Sequence, residues 1–443
     1  MSAYVPVDVV EVRAWGQTVG AVARDPAQSA YAFEYAPEWL AGGIELAPIH
    51  LPNGPGVFSF SDLDPGTWKR LPPLLSDSLP DDFGNALVDA WMARQGIDRD
   101  EISALDRLAY TADRGMGALT FHPPAGPAVA EPTALALADL VASARQALTG
   151  DLAASAPPEH NDTSPAEEAL RQLILVGSSA GGARAKALVA FNPETGQIRS
   201  GQFDAPDGFS QWLVKLDGAS AGVDRGAPLS EGEGFGRIEY AYHLMALEAG
   251  VGMAECRLLP EAGRAHFITR RFDRGEGDER LHMLTLCAMD HASYRRPGAY
   301  AYEQLLLVAD RLGLGSSAAT EIFRRCVFNV VAVNRDDHTK NTAFLCAPDG
   351  AWTLAPAYDL THSYRIDSEW VARHQMSVNG KIDGITRADL EAIGDRFAIK
   401  AYRAIIDEVC DAVSRWPSFA AEAGVADAHV AGIQADMERF ALR

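Results

Sequence analysis

The stretch Val331–Asp359, VAVNRDDHTKNTAFLCAPDGAWTLAPAYD, decides the reading of this chain. An Arg-Asp pair, Arg335 and Asp336, follows an apolar run, and Asn341 stands five positions past Asp336. The pattern then predicts a strand, a tight turn at Asp349-Gly350 and a second strand ending at Asp359. Parts in this order make a phosphotransfer catalytic loop. An aspartate accepts the proton of the attacking hydroxyl, and an asparagine and a later aspartate hold magnesium against nucleotide phosphates. The Asp-x-x-x-x-Asn spacing matters because base and metal ligand must face one small volume. The competing reading is a polar loop followed by an ordinary β-hairpin.

Upstream lie further parts that such a loop would need. Leu173–Val176 leads into the glycine-rich run Gly177-Ser178-Ser179-Ala180-Gly181-Gly182. Glycines let the backbone approach a phosphate without a Cβ clash. The run lacks the GK[ST] ending of a Walker loop and the GxGxxG spacing of protein kinases, so a plain tight connection stays open. Lys215 sits in the alternating segment WLVKL and can point into a cleft toward phosphates, paired with a helical carboxylate such as Glu239, or lie on the solvated face. His338 can order the loop, touch a phosphate or bond backbone. Lys340 can neutralise a transferring phosphoryl group or be a surface charge. Arg270-Arg271 ends a strand and reads as a lobe connection, with Phe272 either against an adenine or in the core. His243, His282 and His291 fall singly on predicted helices and read as structural, since no His/Cys/Asp spacing makes a zinc site.

Length and composition set the frame. The 443 residues allow two or three domains with sizeable cores. A net charge of -21 argues against a large nucleic-acid footprint of the chain's own. A local basic patch, or DNA contact through a partner, stays open. Five scattered cysteines without CxxC spacing suit a reducing cytoplasm and carry no metal signature. Neither a signal-peptide pattern nor a run approaching about 18 apolar residues is present, so a cytoplasmic protein with no membrane association is expected.

The first sixty residues read as short strands, Val7–Val12, Val19–Val22, Tyr31–Tyr35 and Val57–Phe60. Asp81 or Asp82 caps a predicted helix from Phe83 to Arg94, a short helix covers Leu105–Tyr110, and Met116–Phe121 returns to strand. Residues 134–148 read as a helix and 150–165 as a linker. Beyond it, strands are predicted at Ala187–Phe191 and Trp212–Leu216. Helices are predicted at Gly236–Gly250, His282–Ala292, Tyr302–Leu312 and Ala318–Val333, and over the C-terminal segment from Ala388.

With those residues placed, the chain resembles the HipA family of toxin–antitoxin serine/threonine kinases. The N-terminal segments LPDDFGNALVDAWMARQG and LDRLAYTADRGMGAL carry the likeness. So do GSSAGGARAKALV, WLVKLD, EYAYHLMALEAGV, TRRFDR, VNRDDHTKN and LAPAYDL. The resemblance implies an α+β, two-lobed kinase-like fold with a β-rich N-terminal subdomain and a helical C-terminal lobe. The corresponding divisions are an N-terminal domain at 1–125, a connecting helix and linker at 126–165 and a kinase core at 166–443. It implies that Lys215 contacts ATP phosphates, Asp336 is the catalytic base, Asn341 and Asp359 bind Mg2+, and Phe272 lies beside the adenine. Ser179, Ala180, Gly181 and Gly182 belong to the nucleotide loop. Ser179 matches the serine that members autophosphorylate, with Ser178 adjacent. A helix-turn-helix antitoxin of the same operon is the implied partner and the only route to DNA. A translation-related protein such as an aminoacyl-tRNA synthetase is the implied substrate. Two departures stand out: Asp359 precedes Leu360-Thr361 rather than Phe-Gly, and the loop tail GGARAK carries Arg184.

Two other classes compete. Asp336-Asp337-His338 with Asn341 is similar to the loop of phosphoinositide kinases, which would make the chain a small-molecule or lipid kinase; an acidic surface disfavours that substrate. A catalytically silent, antitoxin-bound regulator is the third, and the full set of lysine, base and metal ligands speaks against it.

Overall fold

The computed structural model describes residues 5–25, 30–126, 137–149, 173, 184–201, 205–220, 234–261, 263–275 and 279–442. The glycine-rich run 177–182, with Ser178 and Ser179, and most of the predicted linker fall outside them. The chain forms two compact units. Unit 1 comprises Met1–Glu45, Asn53–Gly236 and Arg257–His282; unit 2 comprises Leu46–Pro52, Arg237–Cys256 and Met283–Arg443.

Unit 1 opens with β1 (Val9–Ala14), β2 (Gln17–Asp25), β3 (Ala30–Tyr35), β4 (Val57–Ser59) and β5 (Leu119–His122). They form one antiparallel sheet in the order β4-β3-β2-β1-β5. In β1, Val10, Val12 and Ala14 are buried while the residues between them are not, the period of two that one buried face demands. Trp15 and Gly16 both take positive φ between β1 and β2, the twist that a two-residue hairpin favours. Met116, expected to begin a strand, precedes β5 by three residues.

The second sheet of unit 1 contains β6 (Arg184–Phe191), β7 (Ile198–Ser200), β8 (Ser210–Ser220), β9 (Cys256–Glu261) and β10 (Arg264–Arg270), in the order β7-β6-β8-β10-β9. Helix Asp82–Ala93 begins where Asp81 caps it, the carboxylate accepting from Gly84 N at 2.7 Å. Its Phe83, Leu87 and Ala90 meet Ala187, Val189, Trp212, Val214 and Ile268 in one core. Leu140, Val141 and Ala144 of helix Leu137–Thr149 join it. Burying a large apolar side chain fully is worth roughly 1.5–3 kcal/mol, so this cluster is what holds the helices on the sheet.

Unit 2 is mainly helical. It holds β11 (His282–Thr285), β12 (Tyr300–Ala301), β13 (Ala343–Cys346), β14 (Trp352–Leu354) and β15 (Met376–Ser377). The first, third and fourth make a sheet in the order β11-β13-β14, and β12 pairs with β15 in parallel. Around them run helices Phe235–Glu248, Tyr302–Arg311, Gly315–Val331, Arg387–Arg396, Tyr402–Ser414, Trp416–Ala423 and Asp427–Arg439. Fully buried Tyr242, Phe328 and Trp416 make edge-on ring contacts, and the Tyr242 hydroxyl donates to the Ala332 carbonyl at 2.6 Å. Residues 46–52 belong to this unit: the His50 ring stacks on His291 at 4.3 Å and its Nε2 lies 3.0 Å from Asp290 Oδ1.

Two expectations are corrected. His282–Ala292 is not one helix. It is strand β11 followed by the short helix Leu286–Met289, because Thr285 caps at that point, its side chain accepting from Ala288 N. Strand β14 stops at Leu354, short of Asp359. Pro356 removes a ladder donor, and Asp359 itself sits at φ +57°.

Candidate active site

The loop that follows helix Gly315–Val331 is rooted by an unusual backbone. Val333 takes φ +55°, a region that β-branched residues avoid at a cost of about 1–3 kcal/mol. Ser363 holds it there: Ser363 N donates to the Val333 carbonyl at 3.2 Å, and Arg335 N donates to the Ser363 carbonyl at 3.1 Å. The Arg335 guanidinium turns inward, 3.8 Å from the Phe440 ring centre and 4.9 Å from that of Tyr364. It donates to Asp383 at 3.2 Å and to the Ala372 carbonyl. Arg335 is therefore part of the loop's foundation.

The two adjacent aspartates part company here. The Asp336 side chain is 43% exposed, whereas that of Asp337 is 0% exposed. Only Asp336 can meet a substrate. The Asn341 side-chain amide donates to the Asp336 carbonyl at 2.9 Å, so the loop folds back and brings these two predicted residues together. Thr339–Asn341 form a single 3-10 turn, pinned by Thr339 Oγ1 donating to the Ala292 carbonyl at 2.6 Å. The Lys340 carbonyl accepts from the Tyr358 hydroxyl at 2.7 Å, which ties the segment bearing Asp359 to the same turn. The Lys340 ammonium lies 5.0 Å from the Tyr294 ring centre. His338 Nε2 is 3.9 Å from Asp336 Oδ1, beyond hydrogen-bond reach, and its buried Nδ1 has no partner among the described residues. A cavity of about 20 Å3, lined among others by Tyr302, Arg325, Asn329, Asn341 and Tyr358, lies behind the turn and has room for one water.

Of the other predicted residues that the structure describes, Lys215 and Phe272 lie in unit 1. Lys215 is buried on β8, its ammonium 5.9 Å from the Phe267 ring centre. Its direct cross-strand neighbours are Phe267 on β10 and Lys186 on β6. Lys186 pairs with Asp81 at 3.2 Å, both side chains being almost wholly buried. Burial raises the Asp81 carboxyl above its usual range, outweighing the lysine beside it. Glu239 is buried near the start of helix Phe235–Glu248, in unit 2. Phe272 is half-buried between two residues of a charged knot. Asp273, fully buried, accepts from Arg271 Nε at 2.9 Å and Nη2 at 2.6 Å, from Arg274 Nη1 at 2.8 Å and from Gly117 N at 2.7 Å. The same guanidiniums donate to the carbonyls of Gly115 and Gly117. Residues 270–273 thus lie inside unit 1, and past them the chain next crosses to unit 2 after His282.

Among the described residues no group of three or more His, Cys, Asp or Glu side chains is placed to enclose a metal. One amide and one or two carboxylates nonetheless suit magnesium, which keeps water and phosphate oxygens in most of its shell. Asn341 and Asp359 supply such donors on two segments that Tyr358 holds together. Among the described residues no helix is long and apolar enough to cross a membrane.

Residues 178–416 match the family model of the HipA-like C-terminal domain, and residues 10–122 match that of the HipA N-terminal domain. The solved toxin–antitoxin HipA of Shewanella oneidensis MR-1, in complex with HipB and its operator DNA, is 15% identical with a TM-score of 0.60, over 97% of this chain and 95% of that one. The Helicobacter pylori proinflammatory kinase CtkA is 10% identical over 52% of this chain and 93% of that one; its TM-score of 0.28 is too low to carry an argument. No curated relative matches the chain.

Proposed function

Because the chain belongs to the HipA family, its C-terminal model alone covering more than half of the sequence, we propose that it is an ATP- and magnesium-dependent serine/threonine protein kinase and the toxin of a toxin–antitoxin pair. The observation that carries this reading is the folded-back loop: an exposed Asp336 carboxylate whose own carbonyl is gripped by Asn341, with the Asp359 segment tied to the same turn.

In this reading Asp336 accepts the proton of the substrate hydroxyl as its oxygen bonds to the γ-phosphorus of ATP. The bond from that phosphorus to the bridging oxygen breaks, and ADP leaves. Lys215 contacts the phosphates, and Phe272 packs beside the adenine. His338 and Lys340 stand near the transferred group. Asn341 and Asp359 would hold magnesium, which when bound neutralises charge on the phosphate oxygens. The substrate class is a translation-related protein such as an aminoacyl-tRNA synthetase. The partner is a helix-turn-helix antitoxin, through which alone the complex touches DNA. Autophosphorylation at Ser179, with Ser178 as the neighbouring candidate, completes the proposal.

Asp336→Ala tests it. The purified variant should keep its fold and nucleotide binding while phosphoryl transfer from magnesium-ATP falls at least about 100-fold. Expressed without the antitoxin, the parent chain should slow growth and the variant should not. Turnover near the parental rate in the folded variant removes Asp336 as the base.

A further inference from the structure

We infer that Asp337 is the positioning residue of the catalytic loop, fixing the backbone from which Asp336 projects; this rests on Asp336 being the base. The doublet Asp336-Asp337 is symmetric in sequence and asymmetric in space. Asp337 has no exposed side-chain surface and three donors. Its Oδ1 accepts from Gln375 N at 2.7 Å, and its Oδ2 accepts from the Tyr302 hydroxyl at 2.9 Å and from His374 Nδ1 at 3.0 Å. A carboxylate oxygen can only accept, so the Nδ1 of His374 is the protonated ring nitrogen.

The chain of donors runs on behind Tyr302. Its hydroxyl accepts from Asn329 Nδ2 at 2.9 Å, and Asn329 Oδ1 accepts from Asn334 Nδ2 at 2.9 Å. Asn334 N also donates to the Asn329 carbonyl at 2.9 Å, closing the loop's root on the end of helix Gly315–Val331. Every side-chain bond in this series points one way and ends on the same carboxylate. Such a series strengthens cooperatively in a low-dielectric interior and is strongest when its terminus is ionised. Burial pushes the Tyr302 phenol well up, with the Asp337 carboxylate adding to the effect, so the hydroxyl keeps the proton it donates.

What this arrangement can do follows from where its members come from. Helix Tyr302–Arg311, the end of helix Gly315–Val331 and residues 374–375 leading into β15 all converge on one loop atom group. Asp337 cannot swing toward a substrate without abandoning three donors. It can fix its own backbone, and the neighbouring Asp336 and Asn341 inherit that geometry. A misplacement of about 1 Å at a reacting group costs on the order of 100-fold in rate. A role confined to stability would leave the turnover of the folded protein unchanged.

The test uses the full unmodified chain with magnesium-ATP and reads the initial rate of phosphate incorporation into the chain with ADP release, kcat and KM being that rate's limit and its half-saturating ATP concentration. Asp337→Asn keeps the volume and removes the charge. It should lower kcat about 100-fold while KM for ATP stays within about threefold. Tyr302→Phe, which removes one hydroxyl, should lower kcat about tenfold with the same unchanged KM. Asp336→Asn is measured beside them. Parental kcat in Asp337→Asn and Tyr302→Phe, with Asp336→Asn inactive, overturns the positioning role and leaves the base assignment standing. Full activity in Asp336→Asn overturns both. Should Asp337→Asn fail to fold, Tyr302→Phe decides alone: a lowered kcat at constant KM supports the role, and a parental kcat refutes it.

Discussion

Replacing Asp273 with asparagine should destabilise unit 1 by about 3 kcal/mol or more. The carboxylate has no exposed surface and answers two guanidiniums that are themselves 3% and 8% exposed. Asparagine keeps the shape and one acceptor but removes the charge and places an amide hydrogen against an arginine. Breaking a buried ion pair by removing one partner costs about 3–5 kcal/mol, since the other charge is left in a medium that cannot solvate it. Here two cations lose their partner, so the lower end, about 3 kcal/mol, is a floor. For a unit of this size that lowers the midpoint of thermal unfolding by about 6–12 °C. Thermal or urea unfolding of parent and variant in parallel measures it.

The pH dependence carries a definite sign. Burial opposes ionisation of Asp273, but Arg271, Arg274 and the Gly117 amide outweigh it and hold the carboxyl well below its ordinary range. A group depressed in the folded state contributes stability that is complete above its unfolded value of about 3.9 and is lost as pH falls toward the folded one. The gap between parent and Asp273→Asn should therefore be full at neutral pH and narrow below about pH 4. A variant within about 0.5 kcal/mol of the parent at neutral pH, the ordinary range for surface changes, would refute the claim that this carboxylate carries both arginines.

Three further outcomes are expected. Asn341→Ala and Asp359→Ala should each abolish the magnesium dependence of ATP binding seen by calorimetry; affinity in Asp359→Ala that still rises with magnesium removes that residue from the metal shell. In a double-mutant cycle on Asp81 and Lys186, Asp81→Asn should cost more than Lys186→Met, because a buried Asp81 already inclined to hold a proton can neutralise itself once the lysine is gone; additive single effects in urea unfolding would show the two do not interact. Mass spectrometry after incubation with magnesium-ATP should find phosphate on Ser179, and the modified chain should lose ATP affinity, because phosphoserine adds roughly -1.5 to -2 charges beside the nucleotide phosphates; phosphate found only outside 177–182 counts against it.

The fold of the candidate loop was legible because its contacts are local. Asp336 and Asn341 are five residues apart, and their hydrogen bond closes within that span. The strand carrying Lys215 and the capped helix after Asp81 were legible for the same reason, through alternation and an N-cap. What stayed hidden depends on partners far along the chain. Asp81 meets Lys186 across 105 positions, and Arg271 reaches Gly115 across 156, distances at which no periodicity speaks. Nothing in the doublet Asp336-Asp337 says which member is exposed; Tyr302, His374 and Gln375 decide that. The segment HMLTLCAM was misjudged because short apolar runs look alike as strand or helix until the Thr285 cap is seen. The helical character expected from Ala388 onward is borne out as four helices, one of them ending where Gly424 takes φ +69°.

The interleaving of the two units bears on how the protein can be made. The chain passes from one to the other at 45/46, 52/53, 236/237, 256/257 and 282/283. Strand β10 pairs with β8, yet helix Phe235–Glu248 lies between them in the chain. On a ribosome, then, the second sheet of unit 1 stays incomplete until a major helix of unit 2 has already emerged. That helix in turn waits for Trp416, near the end of synthesis, to cover Tyr242. Unit 1 has its last residue at His282, whereas unit 2 waits for the helices near the chain's end, so the first core can close while the second is still being made.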